Sequence, residues 1–107
     1  MLPKKHRFSF KRGVPRRLYT TPFFVIRYGD SNGSGLHAAV VVGKKVDKRA
    51  VLRNRYKRQV VESTKTLLQK EQNINVVIFA KKQIMQLQKE SLYEELKKSF
   101  QTIHLLS

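Results

Sequence analysis

The residues best suited to bind another molecule are concentrated in segment 44–58. Eight of its fifteen residues are lysine or arginine, and Asp47 is the only acid among them. Clustered cations attract a polyanion; nucleic acid is the leading candidate, and an anionic membrane surface is the second. Apolar residues recur between the charges, so the segment differs from a disordered basic tail. One side of it can therefore pack on a core while the other side contacts phosphates.

A helix is the element that would separate these two sides. At about 100° per residue, four apolar residues share one stripe of the helical wheel. They are Leu52, Tyr56, Val60 and Leu67. The remaining arc carries Arg53, Asn54, Arg55, Lys57 and Arg58. The pattern predicts a helix that begins at residue 47 or 50 and ends near residue 70, anchored by one face and cationic on the other.

The order of residues in this segment resembles the motif of a known family. In chain order the string is Lys44-Lys45-Val46, Ala50-Val51, Arg53-Asn54-Arg55 and Lys57-Arg58, placed directly after a predicted strand. It is similar to the RNR motif of the bacterial ribonuclease P protein subunit. The resemblance extends from about residue 36 to residue 80 and is weaker outside that range.

The resemblance implies a function and its partners. Ribonuclease P cleaves one phosphodiester bond of precursor tRNA, which removes the 5′ leader and leaves the mature 5′ end. RNA is the catalyst in the bacterial enzyme, and the protein is an accessory subunit. The implied cofactors are that catalytic RNA and Mg²⁺ held through the RNA. The implied partners are ribonuclease P RNA and precursor tRNA, with neither DNA nor a membrane expected.

Two sets of site residues follow from the resemblance. The set implied to bind the catalytic RNA is Lys44, Lys45, Lys48, Arg49, Arg53, Asn54, Arg55, Lys57 and Arg58. The set implied to form a cleft for the single-stranded leader is Arg7, Phe8, Phe10, Arg12, Phe23, Val25 and Arg27. Cations hold phosphates in such a cleft, and aromatic side chains stack on bases.

The N-terminal arm, residues 1–21, is basic and contains helix-breaking residues. Gly13 and Pro15 argue against a long helix there. Family members usually carry a first helix between an Arg-Leu-like pair and a glycine. If Arg7-Phe8 and Gly13 are those landmarks, the spacing between them is too short for a helix of normal length. A shortened first helix is therefore expected.

Three apolar runs predict strands, at residues 22–28, 36–42 and 74–80. In the first, Phe24, Ile26 and Tyr28 alternate with Phe23, Val25 and Arg27, which predicts a sheet with a covered face and a partly open one. Residues 29–35 are rich in turn formers and predict a hairpin connection. The run at 36–42 is nearly all apolar, as expected of a central buried strand.

The C-terminal quarter predicts one further helix. Residues 81–88 form a connector with some helical character. Ser91, with Glu94 three residues later, matches a capping box and predicts the helix start. Four apolar residues at three- to four-residue spacing predict the buried face: Leu92, Leu96, Phe100 and Ile103.

These elements predict one α+β domain over residues 1–107, an α/β sandwich. A mixed sheet of about four strands would pack against two to three helices. The strand–helix–strand order around segment 44–58 predicts a βαβ unit. The general rule favours a right-handed crossover. The family resemblance instead implies a left-handed one, as in the second domain of ribosomal protein S5.

Composition excludes several classes of protein chemistry. Cysteine is absent, and the three histidines are scattered without metal-ligand spacing. Only seven acids oppose 23 basic residues, a net charge of +16, and they do not cluster as a two-metal nuclease requires. The sequence therefore predicts no catalytic residue and no metal ligand in the protein. Without a signal peptide or an apolar spanning segment, a cytoplasmic location is expected.

Three functions remain open on the residues alone. The first is the protein subunit of ribonuclease P. The second is a small basic ribosomal protein or another structural RNA-binding protein, which the composition fits equally well. The third is a DNA-binding regulator that places the basic helix in the major groove, but such a helix usually follows a positioning helix, and here a strand precedes it.

Overall fold

The structure, a computed structural model, describes residues 7–69 and 71–105. In chain order the described elements are a 3-10 helix (Phe10–Arg12), β1 (Arg17–Thr20), β2 (Phe24–Asp30), β3 (His37–Val41), α1 (Ala50–Leu67), β4 (Ile74–Ala80), a second 3-10 helix (Lys82–Gln86) and α2 (Lys89–Thr102). The start of the predicted arm, residues 1–6, lies outside the described residues, as does Lys70, near which the first long helix was predicted to end; α1 itself ends at Leu67.

The four strands form one mixed sheet in the order β1-β2-β4-β3. β3 and β4 are parallel and α1 connects them, which confirms the predicted βαβ unit. The β1–β2 and β2–β4 pairs are antiparallel. The left hand of the crossover stays a prediction from the resemblance.

Two predictions about strand order are wrong. Residues 29–35 do not connect a hairpin, because β4 lies between β2 and β3. β3 was expected at the centre of the sheet, but it lies beside a single strand, and the interior strands are β2 and β4. The apolar composition of β3 instead follows from its two faces, since Ala38 and Val40 are buried and the alternate residues are half-buried. The arm covers its outer edge, where the Phe8 N–H donates to the Ala38 carbonyl at 2.9 Å and Arg7 forms an isolated parallel β-bridge with Ala38.

The sequence also failed to predict β1, because Arg17–Thr20 was assigned to an irregular arm. Three of its four residues are exposed, so it lacks the alternation that marks a half-buried strand. Its pairing with β2 makes it a strand. Thr21 stabilises the turn between the two, since its Oγ1 accepts hydrogen bonds from the N–H groups of Phe23 and Phe24 at 3.1 and 2.9 Å.

The core lies between one face of the sheet and the two helices. The sheet contributes Phe24, Ile26, Ala38, Val40, Val76 and Ile78, and the helices contribute Val60, Leu92, Leu96 and Phe100, among others. The predicted stripe of α1 is confirmed at Val60 and Leu67, which are buried, with Tyr56 packed against the core. Burial of each large side chain stabilises the fold by roughly 1.5–3 kcal/mol.

The second helix begins earlier than predicted. α2 starts at Lys89 after Gln88, and no side chain caps it, so the capping box of Ser91 and Glu94 is wrong. The Leu92 N–H donates to the Gln88 carbonyl at 2.9 Å, which places Ser91 inside the first turn. The predicted helical character before it is confirmed by the 3-10 helix Lys82–Gln86. In the part of the chain that the structure describes, no helix has the length and apolarity to cross a membrane.

Candidate RNA interface

The turn before α1 (residues 43–49) is held in one shape by its own hydrogen bonds. Val46 is buried, and its N–H donates to the Gly43 carbonyl at 3.0 Å. The Asp47 carboxylate accepts the Arg49 backbone N–H at 2.8 Å and the Arg49 guanidinium at 3.2 and 3.1 Å. Arg53 Nη1, from the first turn of α1, donates to the carbonyls of Asp47 and Lys48, both at 3.3 Å. Turn and helix are therefore joined into one unit.

The single acid of this unit is neutralised within it. The side-chain hydrogen bond from Arg49, followed by the Arg49 backbone N–H, holds the pKa of Asp47 below its usual value of 3.8. The same side-chain bond raises the pKa of Arg49. Asp47 therefore stays ionised and paired at neutral pH, and it does not repel an approaching phosphate as a free carboxylate would.

The predicted cations are presented to solvent. Those on the turn, Lys44, Lys45, Lys48 and Arg49, are exposed. On α1, Asn54, Arg55, Lys57 and Arg58 are exposed, and Arg53 is half-buried. Across residues 7–69 and 71–105, ion pairs join only Arg49 to Asp47 and Lys65 to Glu62. Most of the positive charge is thus available to a polyanion.

One side of α1 forms a cleft of about 470 Å³ with the arm and the edge of β3, here named the helix–arm cleft. Its lining residues are Arg7, Phe8, Phe10, Ala38, Ala39, Val40, Val41, Val42, Arg53, Asn54, Lys57 and Val61. Phe8 and Phe10 meet edge to face, with ring centroids 5.2 Å apart. Phe10 keeps 47% of its surface exposed, so its ring is accessible to a base. The cleft therefore combines cations that can contact phosphates with an aromatic ring on which a base can stack, the two groups that bind single-stranded nucleic acid.

The arm reaches this position through a short helix. Phe10–Arg12 form a single 3-10 turn, which contains the predicted site residue Arg12. Gly13 ends the turn with φ of +90°, a conformation that L side chains rarely adopt. The segment between Phe8 and Gly13, where a shortened first helix was expected, holds a three-residue turn; Phe8 precedes this turn and Phe10 begins it.

The second face of the sheet, here named the open face, carries rows of side chains across all four strands. One row is Thr20, Val25, Phe79 and Val41, and the next is Leu18, Arg27, Val77 and Ala39. Val25 and Arg27 are half-buried there. Ala39 and Val41 also line the helix–arm cleft, so the open face begins where the cleft ends.

The predicted leader set is therefore divided: Arg12 belongs to the 3-10 turn, and the other six residues lie in three places. Arg7, Phe8 and Phe10 line the helix–arm cleft. Val25 and Arg27 lie on the open face. Phe23, expected beside them, precedes β2 and packs against the core. Sequence reasoning did not select Val41, Val61 or Phe79; the alternation of side chains in β4 could have indicated Phe79 for the open face.

The described residues form no group suited to metal chemistry. Among residues 7–69 and 71–105, no three histidine, aspartate or glutamate side chains are close enough to hold a metal ion. The surface described above can bind, orient and screen a polyanion.

Comparisons with known proteins agree with this geometry. A family model described as Ribonuclease P matches residues 2–104 of the chain. No curated protein matches the sequence.

Several solved structures share the fold. A Staphylococcus aureus RNase P protein mutant with defective mRNA degradation activity superposes with a TM-score of 0.80 at 18% identity, covering 96% of this chain and 92% of its own. An RNase P protein from Staphylococcus aureus gives 0.70 at 18% identity, with 100% and 97% covered. An RNase P protein from Thermotoga maritima gives 0.64 at 19% identity, with 86% and 96% covered.

Proposed function

The chain belongs to the ribonuclease P protein family, and on that basis we propose that it holds two RNAs on adjoining surfaces. It is the protein subunit of ribonuclease P, an endonuclease complex in which its partner is the ribonuclease P RNA. The basic surface of the turn and α1 binds that RNA. The helix–arm cleft takes the single-stranded 5′ leader of precursor tRNA.

The helix–arm cleft is the observation that carries this proposal. Arg53, Asn54 and Lys57 belong to the basic helix, and they line the same cleft as Phe8 and Phe10 of the arm. A leader in the cleft would contact helix cations and arm aromatics together. The outer cations of α1, such as Arg55, stay free for the second RNA.

Charge screening and stacking would each contribute to function. Two RNAs that meet at one protein repel each other, and the net charge of +16 lowers that repulsion. Each base stacked on an aromatic ring adds about 1–3 kcal/mol of binding free energy, with little dependence on sequence. The protein therefore strengthens binding of precursor tRNA relative to mature tRNA, which lacks the leader.

We assign the hydrolysis itself to the RNA subunit. Among the described residues, no three histidine, aspartate or glutamate side chains are close enough to hold a metal ion. Mg²⁺ held by RNA phosphates would activate the attacking water and stabilise the leaving oxygen. The contribution of the protein is to bind and orient the substrate, and to lower the repulsion between RNA strands so that the RNA folds at lower Mg²⁺ concentration.

The family match favours this function over the alternative of a small ribosomal protein, which composition alone left open. The substrate that we propose, precursor tRNA, implies a cytoplasmic location in a bacterium. The proposed function and the proposed substrate both require processing activity, which a reconstitution experiment measures directly.

The test is reconstitution of the chain with ribonuclease P RNA at low Mg²⁺ concentration. We expect cleavage of a precursor tRNA at its mature 5′ end only when both components are present. Phe10→Ala should then weaken binding of the precursor by roughly 5-fold or more, because it removes a stacking surface, and leave binding of mature tRNA unchanged.

Met85→Ala is the matched control. Met85 is a large apolar residue of similar exposure (40%), and it belongs to the second 3-10 helix, outside the lining of the helix–arm cleft. Equal weakening of precursor and mature tRNA by Phe10→Ala would contradict the leader assignment. Binding of ribonuclease P RNA without any gain in processing would favour the ribosomal-type alternative.

A further inference from the structure

A second cleft lies under the arm, beyond the helix–arm cleft. It has a volume of about 600 Å³, within the usual range of ligand pockets. Its lining residues are Arg7, Phe8, Ser9, Lys11, Gly13, Val14, Pro15, Ser31, Ser34, His37 and Asn75. It is named here the arm–loop cleft, because the arm forms one wall and the loop between β2 and β3 forms another.

The arm crosses the open face of the sheet to form this cleft. It is attached at one edge of the sheet, where the Phe8 N–H donates to Ala38 of β3. It then reaches β2, where a Cβ built on Gly29 would lie 3.6 Å from the Pro15 Cβ. Gly29, Asn75 and His37 are register neighbours, so they form the row of the open face over which the arm passes.

The loop wall is fixed by a network of hydrogen bonds. Ser31 donates through Oγ to the Gly35 carbonyl at 2.7 Å and through its N–H to the Asn73 carbonyl at 3.2 Å. The Gly35 N–H donates to Asn73 Oδ1 at 3.0 Å, which ties the loop to the start of β4. A wall held in this way does not have to be ordered by the ligand, so less conformational entropy is lost on binding.

The polar groups of this cleft suit a nucleotide. His37 Nε2 donates to the Ser34 carbonyl at 3.0 Å, since a carbonyl only accepts, and this leaves Nδ1 available to a ligand. The Asn75 side-chain amide makes no hydrogen bond to other described residues, and it offers both donors and an acceptor to a base edge. Lys11 is exposed at the cleft and supplies a cation for phosphate.

We propose that the arm–loop cleft is a second binding site for the 5′ leader, which takes nucleotides beyond those held in the helix–arm cleft. This inference rests on the proposed function. Arg7 and Phe8 line both clefts, so an RNA strand that fills the first is led past them into the second. His37 and Asn75 contact the base, and Lys11 contacts the phosphate.

The experiment uses the reconstituted holoenzyme and precursor tRNAs whose leaders are lengthened one nucleotide at a time. We expect the affinity of the unmodified enzyme to rise in two stages as the leader fills one cleft and then the other. His37→Ala and Asn75→Ala should each remove only the second stage, a loss of about 2- to 10-fold for one hydrogen bond. Lys11→Ala should also remove the second stage. Because Lys11 lies on the exposed arm, this variant provides the test if a substitution in a strand, at His37 or Asn75, reduces folding.

Gln83→Ala and Lys82→Ala serve as controls, because they remove a neutral and a basic exposed side chain outside both clefts. Identical affinities for variants and unmodified enzyme at every leader length, with leaders still favoured over none, would overturn the inference and leave the proposed function intact. Absence of any leader effect in the unmodified enzyme would overturn both. Weaker binding of ribonuclease P RNA by the variants, with leader gains unchanged, would assign the cleft to that RNA instead.

Discussion

At the scale of single residues, the two arginines of one tripeptide have different surroundings. Arg53 is half-buried and donates to two carbonyls of the preceding turn. Arg55 is exposed, and within the described chain its guanidinium makes no hydrogen bond. We infer that Arg55 serves RNA binding alone, whereas Arg53 also holds the turn that carries the other cations.

Replacing Arg55 by Ala should therefore weaken binding of ribonuclease P RNA by roughly 3- to 10-fold, since about 1 kcal/mol is lost with one contact. The logarithmic salt dependence of the affinity should flatten by about 0.7–0.9 for each phosphate contact removed. The free energy of unfolding should stay unchanged. Filter binding over a salt series and urea unfolding measure the two quantities.

Replacing Arg53 by Ala should lower both the affinity for RNA and the free energy of unfolding, because the turn loses two hydrogen bonds that each contribute about 0.5–1.5 kcal/mol.

Lys65→Ala is the control for the loss of charge in Arg55→Ala, since Lys65 lies on the same helix, where it pairs with Glu62. If Arg55→Ala and Lys65→Ala gave the same affinity and the same salt slope, Arg55 would not contact phosphate.

At the scale of elements, α1 depends on the turn before it because its N-terminus has no cap of its own. Arg49 occupies the N-cap position without a side-chain hydrogen bond to the helix, and no acid lies in the first turn. A carboxylate in that turn would suit the helix dipole but would repel phosphate. Asp47 precedes the helix instead, where Arg49 pairs with it.

The turn should make stability depend on pH through Asp47. Its pKa is lowered in the folded state, so its ionised form stabilises the fold above the unfolded-state pKa near 3.8. This contribution decreases as pH falls through the lowered folded-state pKa. Asp47→Asn should therefore be less stable than the unmodified protein at neutral pH, with a difference that disappears in acid. Urea unfolding over a pH series measures it.

Arg49→Ala supplies the control for this pairing. Because Arg49 is the main cause of the lowered pKa of Asp47, Asp47→Asn should cost less stability in the Arg49→Ala background. A pH-dependent difference of the same size in both backgrounds would show that the carboxylate acts without Arg49.

At the scale of the whole molecule, charge opposes folding and favours binding. The chain carries 23 basic and seven acidic residues, and the described part forms two ion pairs. Like charges on a domain of this size repel one another, and the core on one face of the sheet must offset that repulsion. A bound RNA removes the repulsion, so folding and binding support each other.

Added salt should therefore act in opposite directions on the free protein and on its complex. Screening reduces self-repulsion, so the Tm of the free protein should rise with potassium chloride; a gain of about 1 kcal/mol would raise it by roughly 4–8 °C. The affinity for RNA should fall over the same salt range. Thermal unfolding and RNA titration in matched buffers measure both.

Glutamate and chloride salts of potassium should be compared to separate screening from specific anion binding. A Tm that falls with either salt would show that attractive charge contacts, rather than repulsion, dominate the free protein. A rise with chloride alone would point to bound chloride.

Local patterns were enough to predict several features from the sequence. The helix over residues 50–67 followed from apolar spacing, and its boundaries differ from the prediction by a few residues. The strand Ile74–Ala80 followed from a continuous apolar run, and the shared face of Phe24 and Ile26 followed from period-two alternation. These features depend on residues that are neighbours along the chain, and charge and side-chain period are visible there.

Strand order required the tertiary structure. Nothing within Arg17–Thr20 predicts a strand, because its pairing with β2 supplies the hydrogen bonds that make it one. The turn-rich segment 29–35 has the composition of a hairpin, yet β4 from much later in the chain occupies the place beside β2. Long-range pairing outweighs local turn chemistry in the second case, whereas β1 pairs with the next strand along the chain.

The sequence by itself determined that the protein has a basic helix and a small apolar core, and it predicted a polyanionic partner, since these depend on residue type and local spacing. Only the tertiary structure decided which side chains share a cleft. Phe10 and Lys57 are distant in sequence, and they line the same cleft because the arm attaches to the edge of β3 beside α1. Phe23 is separated from Val25 because β2 begins one residue after it. Such placements depend on backbone hydrogen bonds between remote segments, which no local pattern encodes.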